Sequence, residues 1–236
     1  MNQILVTDKL YVTQELKKKK KLYRLEFLAS IILVFVFSGW YMYSKVEQNA
    51  KEAVSQEIKD QIVINDLPDA TTAENKPLVV SFDDDTEVIE ETVQPVTNAS
   101  YTDSNGNTYT YESILTIPKI GIEYPVLSDT NDELLKISLN KFWGGSPNSV
   151  GNYCIVGHNY KSGKMFGKLS QIYNGDKVYL KDLSGKTIEY QVYDRYIVYP
   201  EDVACTSQIT NGLREMTLIT CTNQGKQRLI IKCREV

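Results

Sequence analysis

The alternation of apolar and polar positions divides the chain into three stretches of different texture. From Phe27 to Tyr43 the sequence FLASIILVFVFSGWYMY carries no charge over seventeen residues. Spanning roughly 30 Å of hydrocarbon takes about 20 residues of α-helix, and Leu25, Glu26 and the interfacial positions cover the shortfall. The pattern predicts a transmembrane helix over 25–44. Trp40, Tyr41 and Tyr43 gather at its far end, as an aromatic belt at a membrane interface does. A cleaved leader would carry a shorter apolar core and a small-residue cleavage site, and SGWYMYSK offers none, so an uncleaved signal anchor is expected.

Residues 45–105 read as a linker. Lys45 to Ile64 is weakly amphipathic, enough for a short helix continuing out of the membrane. Beyond Pro68 the text turns acidic, Thr-rich and Pro-punctuated (DATTAENKP, then FDDDTEVIEETVQP). Such a stretch cannot bury enough apolar surface to offset its ordering entropy, and disorder is expected there.

Residues 106–236 show short apolar-alternating runs separated by turn residues, the pattern of an all-β domain with short helices. Strands are predicted at Thr108–Tyr111, Ser113–Ile117, Glu123–Val126, Asn152–Val156, Lys177–Leu180, Thr187–Tyr199, Met216–Thr220 and Arg228–Lys232. A helix is predicted over Asp132–Leu139, capped by Asn131 or Asp132, with a second short one around 166–172. Eight strands in a domain of this size suit one closed β-barrel with functional loops.

Charge sharpens the division. Residues 1–24 hold seven basic against two acidic side chains, a net of +5; residues 45–100 hold four against thirteen, −9; residues 101–236 hold fifteen against fourteen, +1. The Lys run at 17–21, directly before the apolar segment, predicts a cytoplasmic N-terminus (1–24) and an extracellular remainder. A near-neutral outer domain on an acidic stalk argues against nucleic acid as a partner. The chain has one His, which excludes a multi-histidine metal centre, and four Cys with no CxxC spacing, which excludes a zinc ribbon or a disulfide framework. No cofactor and no metal are expected. Cys154, Cys205 and Cys233 are expected to be buried, with a disulfide involving Cys205 as the alternative.

Three strand-end residues can carry chemistry. His158 follows the apolar run NYCIV through Gly157, Cys221 follows MTLIT, and Arg228 opens RLIIK after the Gly-containing connection TNQGKQ. If the last two strands form a hairpin, Cys221 and Arg228 face each other across it. A guanidinium there would favour thiolate over thiol and stabilise an oxyanion, and the single His is the candidate proton carrier. Taken alone, each has a plainer reading: a capped surface His, a buried small Cys, a solvated Arg.

Four phrases in order change that balance. TLITC at 217–221 followed by Arg228 resembles the TLxTC…R signature of the sortase family. GNYCIVGHN at 151–159 is similar to its strand leading to a catalytic His, IPKIGIEYPVL at 117–127 to its first barrel strands, and SPNSVGN at 146–152 to the loop before the His strand. The resemblance implies an eight-stranded sortase-type β-barrel and a cysteine transpeptidase. Cys221 would then be the nucleophile, His158 the acid and base, and Arg228 the oxyanion and substrate clamp. Thr220 and Leu218 beside the nucleophile, and Asn159 after the His, would be candidate substrate-groove or orienting residues. Implied partners are secreted proteins with a C-terminal LPxTG-like sorting signal, and an amine acceptor on a peptidoglycan precursor or a pilin-like subunit. The class stays open. The 63-residue His–Cys separation leaves no room for the long helical insertion of class B, GHNYKSGKMFGKL nevertheless resembles class B wording, and no Asp-Pro-aromatic lid tripeptide precedes the barrel. A purely hydrolytic cysteine protease and a non-catalytic binding barrel are the competing functions.

Overall fold

In a computed structural model that describes residues 14–65 and 98–236, the chain divides at Asn49/Ala50 into two units. The linker stretch 66–97, with its expected disorder and Phe82–Asp85, and the first thirteen residues lie outside the described set. Helix α1 (Gln14–Asn65) is continuous through the boundary. Within the first unit its apolar side chains from Leu22 to Tyr43 are exposed almost throughout, and the helix is long and apolar enough to cross a membrane.

The second unit is a barrel of strands: β1 (Ala99–Thr102), β2 (Thr108–Ile117), β3 (Ile122–Leu127), β4 (Leu139–Trp143), β5 (Gly151–Gly157), β6 (Lys177–Asp182), β7 (Thr187–Val198), β8 (Arg214–Thr222) and β9 (Gln227–Glu235). They run in the order β1-β2-β3-β4-β5-β8-β9-β7-β6, and β6 returns to β2. Ser113–Thr116 of β2 pair with β6 while β1 pairs only with Thr108–Tyr111. The closed barrel therefore has eight strands, the expected number but not the expected set: Thr108–Tyr111 and Ser113–Ile117 form one strand, β2, β4 is added, and β1 is an extra ribbon on the first half of β2. Leu115, Val126, Leu139, Ile155, Leu180, Leu218 and Ile231 fill the interior with no more than trace exposure.

Two elements escape the sequence pattern. Helix α2 (Asp132–Ile137) ends before Leu139, because β4 begins there. Asn131 is its cap, accepting from the Glu133 and Leu134 amides, so the choice between Asn131 and Asp132 resolves to Asn131. β4 shows no clean alternation, since Phe142 and Trp143 are both exposed. Its place is fixed instead by parallel pairing to β3 and antiparallel pairing to β5.

The structure also redraws both ends of the expected 45–105 linker. Ordered strand begins at Ala99 rather than after 105, and the α1 segment from Ala50 onward packs on the barrel. Ser55 and Ile58 are fully buried and Ile62 nearly so, against Tyr111, Ile114, Leu127 and Ile137. Tyr124 donates to Glu52 (2.7 Å) and Tyr101 to Glu57 (2.5 Å), and Lys59 pairs with Glu123 at 3.6 Å. The physical reason is a stripe of only three small or apolar residues at helical spacing. That is too sparse to signal docking in the sequence, yet it seats into a complementary barrel face. Ile58→Ala is expected to cost about 2–5 kcal/mol, as buried Ile truncations do, read as a lowered denaturant midpoint with an unchanged slope. A loss under about 0.5 kcal/mol would mean that the helix contributes little to the fold.

Candidate active site

Parallel pairing of β5 with β8 brings two strand ends together. Gly157 is the register partner of Thr220, so the next residues, His158 and Cys221, emerge side by side at the same end of the barrel. Antiparallel pairing of β8 with β9 sets Cys221 directly opposite Arg228. The three residues singled out in the sequence are therefore neighbours in the order His158, Cys221, Arg228 across adjacent strands. The hairpin expectation for 221–228 holds, with a tight connection in which Asn223 and Gln224 take left-handed φ values of 49° and 56°.

Below them, toward the middle of the same outer face, lies an apolar floor. Val156, Ile219 and Ile230 are register partners across β5, β8 and β9. They line a cleft of about 350 Å³ together with His158, Cys221 and Arg228. Thr130, Asp132, Leu135 and Phe142 wall it on one side, and Pro200, Asp202, Val203, Cys205 and Thr206 of the β7–β8 loop wall it on the other.

The strand period of two corrects part of the sequence reading. Thr220, one residue before Cys221, and Leu218, three before it, both lie on the face turned inward. Leu218 is fully buried in the barrel core, and neither side chain lines the cleft. The cleft-facing residue of β8 next to Cys221 is Ile219, two positions back. Thr220 has a structural part instead. Its hydroxyl donates to the Gly157 carbonyl at 2.7 Å, tying β8 to β5 one residue before His158 and Cys221. Asn159 donates from Nδ2 to the Cys221 carbonyl at 2.8 Å, a second tie between the two strand ends.

Gly157 makes the approach possible. A Cβ there would lie 2.4 Å from Leu139 Cδ2 and 2.9 Å from Phe166 Cδ2, closer than real contacts allow, so only glycine lets His158 leave the strand at this depth. Phe166 in turn donates its amide to the His158 carbonyl at 3.0 Å, holding the turn after the His.

Electrostatically the site is set by burial and by one carboxylate that sequence reasoning treated only as a helix start. Burial pushes the His158 imidazole below its usual 6.5, while Asp132 favours its charged form and Lys136 disfavours it. Tyr160 packs against the ring at 5.1 Å between centroids. Among the described residues neither the imidazole nor the Cys221 thiol makes a hydrogen bond, which leaves both free for substrate. The Arg228 guanidinium donates to the Gly225 and Gln227 carbonyls (2.8 and 3.1 Å). Its own turn thus holds it opposite Cys221. Among the described residues no group of three or more His, Cys, Asp or Glu is gathered as a metal site would need.

The other thiols are buried and free. Burial pushes Cys154 up to about 12 and raises Cys205 and Cys233 as well. Cys205 belongs to the loop wall, and what holds it is a buried lysine absent from the sequence reading. Lys232 donates to the Cys205 carbonyl (3.2 Å) and to Thr217 Oγ1 (2.9 Å), and sits 3.7 Å from Glu215. Asn152 donates to the carbonyls of Cys205 (2.8 Å) and Ser207 (3.1 Å). The signal was the period of two: Lys232 shares a strand face with Arg228 and Ile230. Lys232→Met removes one anchor of the wall and is expected to raise KM for a cleft-binding peptide about three- to tenfold. The rate of Cys221 alkylation by iodoacetamide should move less than about twofold. Equal losses in both would assign Lys232 to folding alone.

Comparison with known proteins now bears on this geometry. The sortase domain family matches residues 115–236, just over half of the chain and including His158, Cys221 and Arg228. The chain is 27% identical over 108 residues to Sortase A of Listeria monocytogenes, covering 45% of this chain and 47% of that protein; it spans about half the length of the curated relative it matches. In three dimensions it is similar to Sortase A from Corynebacterium diphtheriae, with a TM-score of 0.50, 24% identity, and coverage of 54% of this chain and 61% of that one, a likeness of fold. With the barrel, the strand-end constellation and the family match in agreement, the chain belongs to the sortase family.

Proposed function

We propose that this protein is a membrane-anchored cysteine transpeptidase that cleaves an LPxTG-like sorting motif and joins the acyl fragment to an amine. The observation that carries the reading is the lateral order His158, Cys221, Arg228 above the apolar floor of Val156, Ile219 and Ile230. An extended peptide fits a floor of this kind, with apolar side chains down and its scissile carbonyl at the sulfur.

In the acylation step the Cys221 sulfur attacks the carbonyl carbon after Thr of the motif, and a C–S bond forms. The oxyanion is met by the Arg228 guanidinium from the β9 side. His158 receives the thiol proton and delivers it to the departing amine as the C–N bond breaks. A thioester on Cys221 remains. In the second step an amine attacks that thioester, His158 takes its proton, the C–S bond breaks, and the thiol is restored with a new amide as product. The α1 segment over 25–44 anchors the enzyme, with the basic N-terminus in the cytoplasm and the barrel outside. The acceptor amine belongs to a peptidoglycan precursor or a pilin-like subunit.

The test uses the full-length chain in detergent with a panel of fluorogenic LPxTG-like peptides, with and without added amines. Transpeptidation predicts a ligated product that grows with amine concentration at the expense of the free acid. Cleavage indifferent to every amine would make the protein a hydrolase, and a folded protein that cleaves no peptide of the panel would favour a binding barrel.

A further inference from the structure

A second cleft, of about 540 Å³, opens beside the first. Ser128, Asp129 and Thr130 line it from the β3–α2 connection, and Lys141, Phe142 and Trp143 from β4. Thr130 and Phe142 line both clefts, so the two are continuous at one edge of the active site.

Strand order tells which edge. Across the sheet the sequence is β4, β5, β8, β9, which places the second cleft, then His158, then Cys221, then Arg228. A molecule arriving from the second cleft reaches the thioester from the His158 side, where the base that must take its proton stands. One arriving from the Arg228 side would have to cross the oxyanion clamp.

The walls have the chemistry to hold a cationic group. Lys141 is already neutralised by the buried Glu112 at 3.4 Å, whereas the Asp129 carboxylate makes no hydrogen bond or ion pair among the described residues. Trp143 is 59% exposed and Phe142 45%, two aromatic surfaces of the kind over which an ammonium is attracted. Their exposure is built in. Gly144 holds φ +106°, and a Cβ on it would lie 2.3 Å from the Asn152 carbonyl oxygen, so the chain turns sharply there and β4 ends with Trp143 outside. Asn140 fixes the opposite wall, donating to the Asp129 backbone carbonyl at 2.7 Å.

We propose that this cleft is the acceptor site: it takes the primary ammonium of an incoming peptide between Asp129 and Trp143 and passes it over Thr130 to the Cys221 thioester, one proton leaving to bulk water as the ammonium becomes the attacking amine and the second going to His158 as the amide forms. The inference rests on the transpeptidase reading for its second step, but occupancy of the cleft can be read without turnover. The shared chemistry is a peptide-borne primary amine, whose two sources are a peptide N-terminus and a lysine side chain.

Both are tested on the full-length, ¹⁵N-labelled protein in detergent, with triglycine amide and Nα-acetyl-lysine amide as probes. The Trp143 indole resonance, assigned with Trp143→Phe and distinguished from Trp40, should shift saturably with at least one probe. N-acetylated triglycine amide, which lacks the ammonium, should leave it unmoved. Asp129→Asn should weaken that binding about fivefold, the scale of a solvent-facing ion pair, and raise the KM for the same amine in ligation by a like factor. A shift with triglycine alone assigns the N-terminal source, and with the lysine derivative alone the side-chain source. An indole resonance indifferent to both amines, or a shift that Asp129→Asn does not weaken, overturns the acceptor site even if ligation proceeds. Saturable, Asp129-dependent binding without ligation sustains it and overturns the transpeptidase reading instead.

Discussion

Replacing Cys221 with Ala is expected to reduce turnover of a sorting-motif peptide by at least about a thousandfold, because covalent catalysis then has no nucleophile. No other thiol can substitute. Cys154, Cys205 and Cys233 are buried, and burial raises all three above the ordinary thiol range. The fold should survive, since Cys221 is only partly buried and its thiol makes no hydrogen bond among the described residues. A melting temperature within about 2 °C of the parent is expected for such a surface truncation. Circular dichroism and peptide ligation on the same sample check both halves. Retained turnover in a folded Cys221→Ala protein would remove the thioester from the account.

The second large effect concerns His158. His158→Gln, close in size and unable to carry a proton, is expected to lower kcat/KM about 10²- to 10⁴-fold. In the parent the direction of the pH dependence follows from burial. The folded protein disfavours the imidazolium, so the neutral base persists below the usual 6.5. Activity that needs the neutral imidazole is present above that point and is lost as pH falls through the lowered value. The acid limb of kcat/KM should therefore lie below pH 6.5. Asp132 supports the charged form, so Asp132→Asn should move the limb further down. An upward move, or an acid limb that persists in His158→Gln, would assign the titration to another group.

How much of this was legible depends on the kind of signal each residue leaves. The membrane-length apolar run and the ordered phrases around 117–127, 146–159 and 217–228 are local in sequence, and the barrel and the His158–Cys221–Arg228 constellation could be anticipated from them. Ile219 leaves no signal of its own, because it stands two positions from Cys221 in the run MTLIT, next to the likewise apolar Leu218. On a strand, adjacent side chains face opposite sides, and Leu218 and Thr220 turned inward for that reason. Asp132 read as a helix start because its effect on His158 exists only once the β3–α2 connection folds beside β5. β4 was invisible for a similar reason. Its two exposed aromatics break the alternation, and only pairing with β3 and β5 makes it a strand. The docked part of α1 shows the same limit from the other direction, since Ser55, Ile58 and Ile62 become a buried face only against a barrel surface formed by residues far along the chain.

The central claim is a thioester at Cys221 that an amine resolves. Intact-protein mass spectrometry of the full-length chain, quenched in acid soon after mixing with an LPxTG-like peptide, reads it directly. The account predicts a mass increase equal to the acyl fragment, located on the peptide containing Cys221. It should be absent in Cys221→Ala and should disappear on adding an amine as the ligated product forms. A ligated product formed with no adduct on Cys221 at any quench time, and undiminished in Cys221→Ala, would contradict it.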